Sequence, residues 1–399
     1  MKVLICNVGS TSYKYKLFEM EDESMLAWGS VERMGSSDAC IRQQATGKDE
    51  VTRAIKSLDH AVCVKETLSF LTDAQHSTLS DFGQVAAIGF KVVGARNITG
   101  GVILDEKVLK SMEEYNPLLL THNPPYIKII RIFKEMVPEL PLVGLFETAF
   151  HRDMPVHAYI YPVPYEWYEK YGVRRYGYHG ASLSYISERV PKILTRPATE
   201  LRLVACHLGG SSSVCAIKFG KSIDTSMGMS NNAGIPMSNR SSDFDPFILP
   251  FIMDKEGLTT DQIRKVLTER GGLAGISGLS GDVRDLEVAA AQGNYRAQLA
   301  LDVFSYEVRK YIGAYAAAMG GLNVIAFTGG IGENSIVMRE QICRGLEFLG
   351  VSIDKKRNKV HNREAIISKN DSEVTVLVVP TNEEIIVARE VLKVLRNIQ

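Results

Sequence analysis

Apolar runs of strand length alternate with amphipathic runs of helix length along most of this chain. Residues 84–93, 142–146, 203–206, 323–327 and 374–379 read as strands. Between and around them, apolar positions at helical spacing predict helices over 124–136, 260–269 and about 295–319, the last stopping at Gly320-Gly321. A final helix is predicted over about 383–398. The alternation predicts two α/β halves with a boundary near residue 150. The first domain is then 1–150, with the last helix, 383–399, as a candidate to complete it, and the second is 151–382. A chain of 399 residues exceeds what one core usually serves, which also favours two domains.

Two segments share one pattern. "VLICNVGSTSYKYKLF" from residue 3 and "LVACHLGGSSSVCAIKFGK" from residue 203 both read strand, polar residue, x, Gly, x, small, Ser, strand. Asn7 falls on His207, Gly9 on Gly209 and Ser12 on Ser212. Alone, such a turn reads as an ordinary β-hairpin; two of one pattern, heading each half, favour a duplicated domain. Glycine allows positive φ and close approach to a ligand, and N–H groups and hydroxyls in a tight turn form an anion site. A facing pair would grip a polyphosphate from both sides.

Composition narrows the partners. Lys plus Arg and Asp plus Glu each number 46, so no basic surplus argues for nucleic acid or a membrane surface, and a small-molecule ligand is expected. The six cysteines form no CxxC pair or Cys/His cluster, and Cys6, Cys206 and Cys215 sit in strand-like runs, as reduced buried thiols of a cytosolic protein would. The apolar start at Val3 to Cys6 is too short for a signal-peptide core and no run has membrane-spanning length, so a soluble cytoplasmic protein is expected.

Five segments carry candidate chemistry. "FTGGIGENS" (327–335) follows a strand and opens a helix predicted over 335–348; its N–H groups and positive dipole end suit a nucleotide, although a packing turn fits equally. It matches neither Walker A nor GxGxxG. "SGLSGDVRDLE" sets Asp282 and Arg284 at a helix start, where a cap and surface pair is the plainer reading. "SNRSSDFDP" places Arg240 among small polar residues able to aim a guanidinium into a cleft. "YGYHGAS" holds His179 between glycines, a setting that also suits a structural histidine. "PTNEE" offers a carboxylate to a metal or acids to the N-terminus of the last helix.

Taken in order, "NVGSTSYK", "THNPP", "ETAFHRDMP", "PYEWYEKYGVRRYGYHG", "HLGGSSSVCAIKFGKSIDTSMG", "FTGGIGENS" and "PTNEE" resemble the acetate kinase family, acyl kinases of the actin-like ATPase superfamily. The resemblance runs from end to end. It implies two duplicated ribonuclease-H-like domains with a nucleotide cleft between them, usually in a homodimer, transferring the ATP γ-phosphoryl reversibly to a small carboxylate with Mg2+. By motif, Asn7 and Glu383 fall at the metal, Ser10, Ser12 and Lys14 at the phosphates, and His207, Gly209, Gly210 and Ser211 at the β- and γ-phosphates. Asp282, Arg284, Gly330, Ile331, Gly332, Glu333 and Asn334 fall at the adenosine. His179 and Arg240 take the place of groups that neutralise the moving phosphoryl, and Glu147 that of a catalytic acidic residue, a metal or orientation group in this chemistry. Lys91, Val93, Thr121, Tyr178 and Asn231 fall at the acceptor. The set suits phosphoryl transfer, where alignment and charge neutralisation dominate and an ionised carboxylate acceptor needs no strong base.

Several positions depart from the family pattern. Lys91 replaces an arginine, with Phe90 and Gly94 in place of flanking histidines; Glu147 replaces an aspartate; Gly210-Ser211 replaces Asn-Gly; Leu183 replaces a histidine. A lysine keeps the charge and loses the two-pronged contact. Thr121 and Asn231 stand where apolar residues are usual, which with Lys91 and the Tyr178 hydroxyl predicts an acceptor more polar than acetate. Two alternatives follow: a nucleotide-binding regulatory protein without turnover, and a kinase for a hydroxyl or pyrophosphate acceptor with Glu147 as its base.

Overall fold

Strand β1 (Lys2–Val8) is hydrogen-bonded on both sides, and the apolar run at residues 3–6 is buried accordingly. A computed structural model describes residues 1–398 apart from 10–11, 35, 37, 56–58, 77–78 and 120–121. The chain divides into two compact units, one of Met1–Ala149 with Asn382–Gln399 and one of Phe150–Thr381.

The first unit is built on eight strands: β1, β2 (Tyr13–Glu19), β3 (Ser24–Glu32), β4 (Cys40–Ala45), β5 (Val51–Ala54), β6 (Val85–Val92), β7 (Gly101–Ile103) and β8 (Leu142–Phe146), in the order β5-β4-β3-β2-β1-β6-β8-β7. In β2 the alternation of Tyr13, Tyr15 and Leu17 with lysines buries one face, and the Tyr15 hydroxyl donates to Gln43 Oε1 at 2.8 Å. The second unit has six: β9 (Arg202–His207), β10 (Ser213–Lys218), β11 (Lys221–Thr225), β12 (Val324–Thr328), β13 (Ala365–Ile366) and β14 (Thr375–Val378), in the order β11-β10-β9-β12-β14-β13.

The two sheets share a plan. β3-β2-β1 and β11-β10-β9 are antiparallel, and β1-β6-β8 and β9-β12-β14 are parallel, so five strands follow one order and one set of directions in each unit. This is the duplicated α/β fold expected from the two hairpins.

Helices cover the sheets. In the second unit Val204, Cys206, Val214, Ile325 and Phe327 pack with Phe304, Val308 and Ile312 of the helix Tyr295–Met319. The alternate residues Leu203, Ala205, Cys215, Val324 and Ala326 pack with Leu183, Ile186 and Val190 of the helix Gly180–Leu194. The long helix is capped by Asn294, which accepts from the Ala297 N–H, and stops at Gly320 with φ +71°. In the first unit the helix Glu383–Ile398 lies on β1, β6 and β8. It comes so close that a Cβ at Gly89 would sit 2.8 Å from Val391.

One predicted element differs. The glycine segment is itself a short helix, Gly329–Asn334; Ser335 then breaks the run and caps a separate helix, Ile336–Cys343, by accepting from the Met338 N–H at 3.0 Å. Gly345, with φ +89°, and the turn Glu347–Leu349 replace the expected continuation to residue 348. All six cysteines are free, and burial pushes the Cys215 thiol up to about 12.

Candidate active site

In the second unit, segments at residues 209–210, 238–239, 281–287, 330–335 and 361 meet around a cavity of about 810 Å³. At the end of β12 Gly329 turns with φ +75°, where a side chain would lie 2.7 Å from the Leu208 carbonyl. That carbonyl accepts from the N–H groups of Ile331 and Gly332 at 2.8 and 3.2 Å, and the Leu208 N–H donates to Thr328 at 2.8 Å. The glycine segment is thus knitted to the β9–β10 turn, and Gly209, Gly210, Gly330, Ile331 and Asn334 all line the cavity. Asp282 and Arg284 line it from the third segment. Asp282 also caps its helix by accepting from the Arg284 N–H at 2.9 Å, so the cap and the lining role coexist. The hydrogen-bonded Arg284 guanidinium holds the Asp282 carboxyl below the usual carboxylate range.

Gly332 and Glu333 turn inward instead. The Glu333 carboxylate is buried and accepts from the N–H groups of Gly329 at 2.8 Å and Thr381 at 3.2 Å, bracing the segment from behind. Ser211 places its hydroxyl against the Met237 sulfur at 3.7 Å, and Ser212 closes the turn on Gly209.

Beside the same turn two imidazoles stack. The rings of His179 and His207 are 4.1 Å apart and 22° from parallel. His179 Nδ1 meets Ser213 Oγ at 2.9 Å and His207 Nδ1 meets Ser182 Oγ at 2.8 Å; Ser213 is the β10 partner of His207, and Ser182 is on the helix that His179 precedes. His179 has φ +59°, a left-handed conformation that a non-glycine residue keeps only where its surroundings impose it. His151 helps impose it. Burial lowers His151 to about 4, so the neutral ring donates from Nε2 to the Tyr178 carbonyl at 3.0 Å and accepts at Nδ1 from Ser222 at 2.8 Å. The Tyr178 hydroxyl donates to the Met229 carbonyl at 2.6 Å.

Arg240 sits in a clamped loop. N–H groups of Gly271, Leu273 and Ala274 donate to the carbonyls of Asn239, Met237 and Ser238 at 2.8–2.9 Å, and the Ser238 N–H donates to Gly210 at 3.1 Å. Gly272 makes this approach possible, since a Cβ there would lie 2.1 Å from the Met237 oxygen. The Arg240 guanidinium donates to the carbonyl of buried Asn231 at 2.6 Å. Burial pulls it down to about 10, so it is charged at neutral pH, and among the described residues no carboxylate lies within ion-pair distance of it.

The first unit assembles a second group. The Tyr126 hydroxyl donates to Asn7 Oδ1 and accepts from the Val8 N–H, both at 3.1 Å. Lys91 Nζ lies 2.6 Å from Glu383 Oε2. Glu147 is buried in the turn after β8, its N–H donating to Val92 at 2.8 Å. Val93 is buried, Ser12 accepts at its carbonyl from the Gly9 N–H, and Lys14 is exposed on β2. Ser10 and Thr121 lie outside the described residues. The Asn7 amide and the Glu383 carboxylate are hard oxygen donors of the kind a divalent ion takes together with phosphate oxygens and water, so their chemistry fits one.

Residues 2–389, nearly the whole chain, match the profile of the acetokinase family. The chain belongs to that family. An acetokinase is an ATP-dependent carboxylate kinase that generally needs a divalent cation. The chain is 47% identical over 401 residues to the acetate kinase of Caldanaerobacter subterraneus subsp. tengcongensis, with all of both chains covered. It is 46% identical over 398 residues to that of Carboxydothermus hydrogenoformans, again at full length. The crystal structure of Porphyromonas gingivalis acetate kinase matches with a TM-score of 0.90 at 39% identity over 99% of each chain. That of a Francisella tularensis propionate kinase matches with 0.89 at 33% over 98% of each. The actin-like ATPase fold of such structures is the one built by the two sheets here. Membership favours a carboxylate acceptor over the non-catalytic and hydroxyl-acceptor alternatives.

Sequence reading of this acetokinase missed Ser182, Ser213, His151 and Tyr126, which orient site residues, and Ser238, Glu287, Ser335 and His361 of the cavity wall. It also missed Arg339, wholly buried behind the glycine segment. Ser182 stands three residues after His179 and Ser213 one after Ser212, within the motifs themselves; nothing in the helical pattern around Arg339 sets it apart.

Proposed function

We propose that this acetokinase moves the γ-phosphoryl reversibly between ATP and acetate or a similarly short carboxylate, with Mg2+ as its divalent ion. The observation that carries the reading is Arg240: a half-buried cation with no carboxylate beside it among the described residues, on a loop braced against the cavity wall. A guanidinium in that state suits an anion that arrives with the substrates. The cavity receives the adenosine, and Gly209, Gly210 and His207 the phosphates. His179, stacked on His207, and Arg240 donate to the oxygens on which charge gathers as the phosphoryl moves. Mg2+, held through Asn7 and Glu383, supplies charge neutralisation at the phosphate oxygens. Ser12 and Lys14 support the phosphates in the same reading.

Of the side chains that pointed to a more polar acceptor, the Tyr178 hydroxyl is engaged by Met229 and the Lys91 ammonium by Glu383. Asn231 and Thr121, the latter outside the described residues, are the other two such positions, and with two of the four engaged elsewhere an acetate-sized acceptor is proposed first. A homodimer in the cytoplasm completes the proposal. Exposed Phe247, Phe251, Trp167 and Tyr171 offer apolar surface to a second copy, free thiols suit a reducing compartment, and among the described residues no helix is long and apolar enough to cross a membrane.

Incubation with ATP, Mg2+ and hydroxylamine across acetate, propionate, butyrate, glycolate and glycine tests the reading. Acyl hydroxamate is expected from acetate or propionate. Nucleotide binding without hydroxamate from any carboxylate would overturn it, and a lead for glycolate would restore the polar acceptor.

A further inference from the structure

Lys91 lies on β6 between Phe90 and Val92, both wholly buried, so its side chain leaves the strand toward the first residue of the C-terminal helix. There its ammonium meets Glu383 Oε2 at 2.6 Å, with the Lys91 and Glu383 side chains only 16% and 12% exposed. Burial by itself would lower the Lys91 ammonium from its ordinary range. The carboxylates of Glu383 and then Glu147 override it and hold the ammonium charged well above the ordinary lysine range. Glu383 also stands at a helix N-terminus, where the dipole favours a negative charge.

The carboxylate assigned to the metal therefore already has a cation beside it, one supplied by the chain itself. We propose that Lys91 is the built-in counter-ion of Glu383, so that a divalent ion shares that carboxylate with an ammonium and Lys91 sets how tightly the site holds the ion. Glu383 is pointed by its contact with Lys91, and the neighbouring positive charge weakens its hold on any second cation. The charge that the family resemblance would lend to the acceptor is spent on the metal carboxylate. An arginine at this position has several N–H groups and can serve two anions; a lysine presents one compact charge.

The inference rests on the proposed metal role of Glu383, and its test separates the two. Mn2+ is titrated onto protein saturated with ADP, and free Mn2+ is read from its electron paramagnetic resonance signal, with no turnover required. Lys91→Met is expected to bind Mn2+ about tenfold more tightly than the native protein, the direction and scale that follow from removing a unit charge beside a bound cation. Lys91→Arg keeps the charge and is expected to stay within about threefold of native. Glu383→Gln is expected to bind about tenfold more weakly. Lys91→Gln, which retains a donor for Glu383, carries the same expectation as Lys91→Met and replaces it if thermal melting shows that the methionine variant is unfolded. Unchanged or weaker Mn2+ binding in the neutral variants, with weakening in Glu383→Gln, overturns the role of Lys91 and leaves the metal assignment standing. Native Mn2+ affinity in Glu383→Gln overturns both.

Discussion

Arg240→Ala will lose at least about a hundredfold in kcat while ADP binds nearly as before. Removing one donor that acts mainly in the transition state costs on the order of 3 kcal/mol. The guanidinium is presented by a loop whose carbonyls are held by Gly271, Leu273 and Ala274, so truncating the side chain leaves the loop in place. Among the described residues its side chain hydrogen-bonds to the Asn231 carbonyl, and the cavity proposed for the adenosine is lined by Ser238 and Asn239 but not by Arg240. Turnover and nucleotide affinity should therefore separate. Coupled kinetics and calorimetry measure the two, and near-native kcat would remove Arg240 from the mechanism.

Arg339→Met will lower the stability of the second unit by about 3–5 kcal/mol, the cost of leaving four buried oxygen acceptors without their donor at about 1 kcal/mol or more each. The Arg339 side chain is wholly buried, and its guanidinium donates to Asn358 Oδ1 at 2.8 Å and to the carbonyls of Gly332, Asn358 and Val360 at 2.8–3.0 Å. Burial pulls the guanidinium down to about 10, so it remains charged at neutral pH and its hydrogen bonds are charge-assisted. Methionine fills much of the space and donates to none of the four acceptors. Because Gly332 lies in the glycine segment and His361 follows Val360 on the cavity wall, the same change should weaken ADP binding. Differential scanning calorimetry should show the transition of this unit falling by roughly 10 °C. An unchanged melt would mean that the four contacts are replaceable.

The fold was legible because burial alternates along the chain. Central strands such as β1 and β8 are covered on both faces and read as apolar runs, and the helices Thr260–Glu269 and Tyr295–Met319 begin and end where caps and glycines announce them. The hairpins announced the duplication because their turn residues serve the backbone itself: the Gly9 N–H donates to the Ser12 carbonyl, and the Gly209 N–H to the Ser212 hydroxyl. The strands β4 and β5 toward one edge of the first sheet escaped notice, since a short, half-exposed strand such as VTRA at 51–54 has no apolar pattern of its own.

The site was legible in part. Glycines and capping residues reveal where backbone N–H groups gather, and those positions do line the cavity. Where a long polar side chain ends is decided by tertiary contacts with no sequence period. Glu333 is a residue away from a cavity-lining asparagine yet faces inward to Gly329 and Thr381. Lys91 reaches a partner 292 residues away. Pattern reading has no access to either.

The central claim, transfer between ATP and a short carboxylate, is tested most directly in reverse. Protein, Mg2+, ADP and acetyl phosphate are followed by phosphorus nuclear magnetic resonance. The account predicts that acetyl phosphate disappears as the ATP signals grow in equal amount, and that Arg240→Ala protein leaves both unchanged over the same interval. ADP bound by the native protein with acetyl phosphate untouched, and likewise propionyl phosphate, would contradict it.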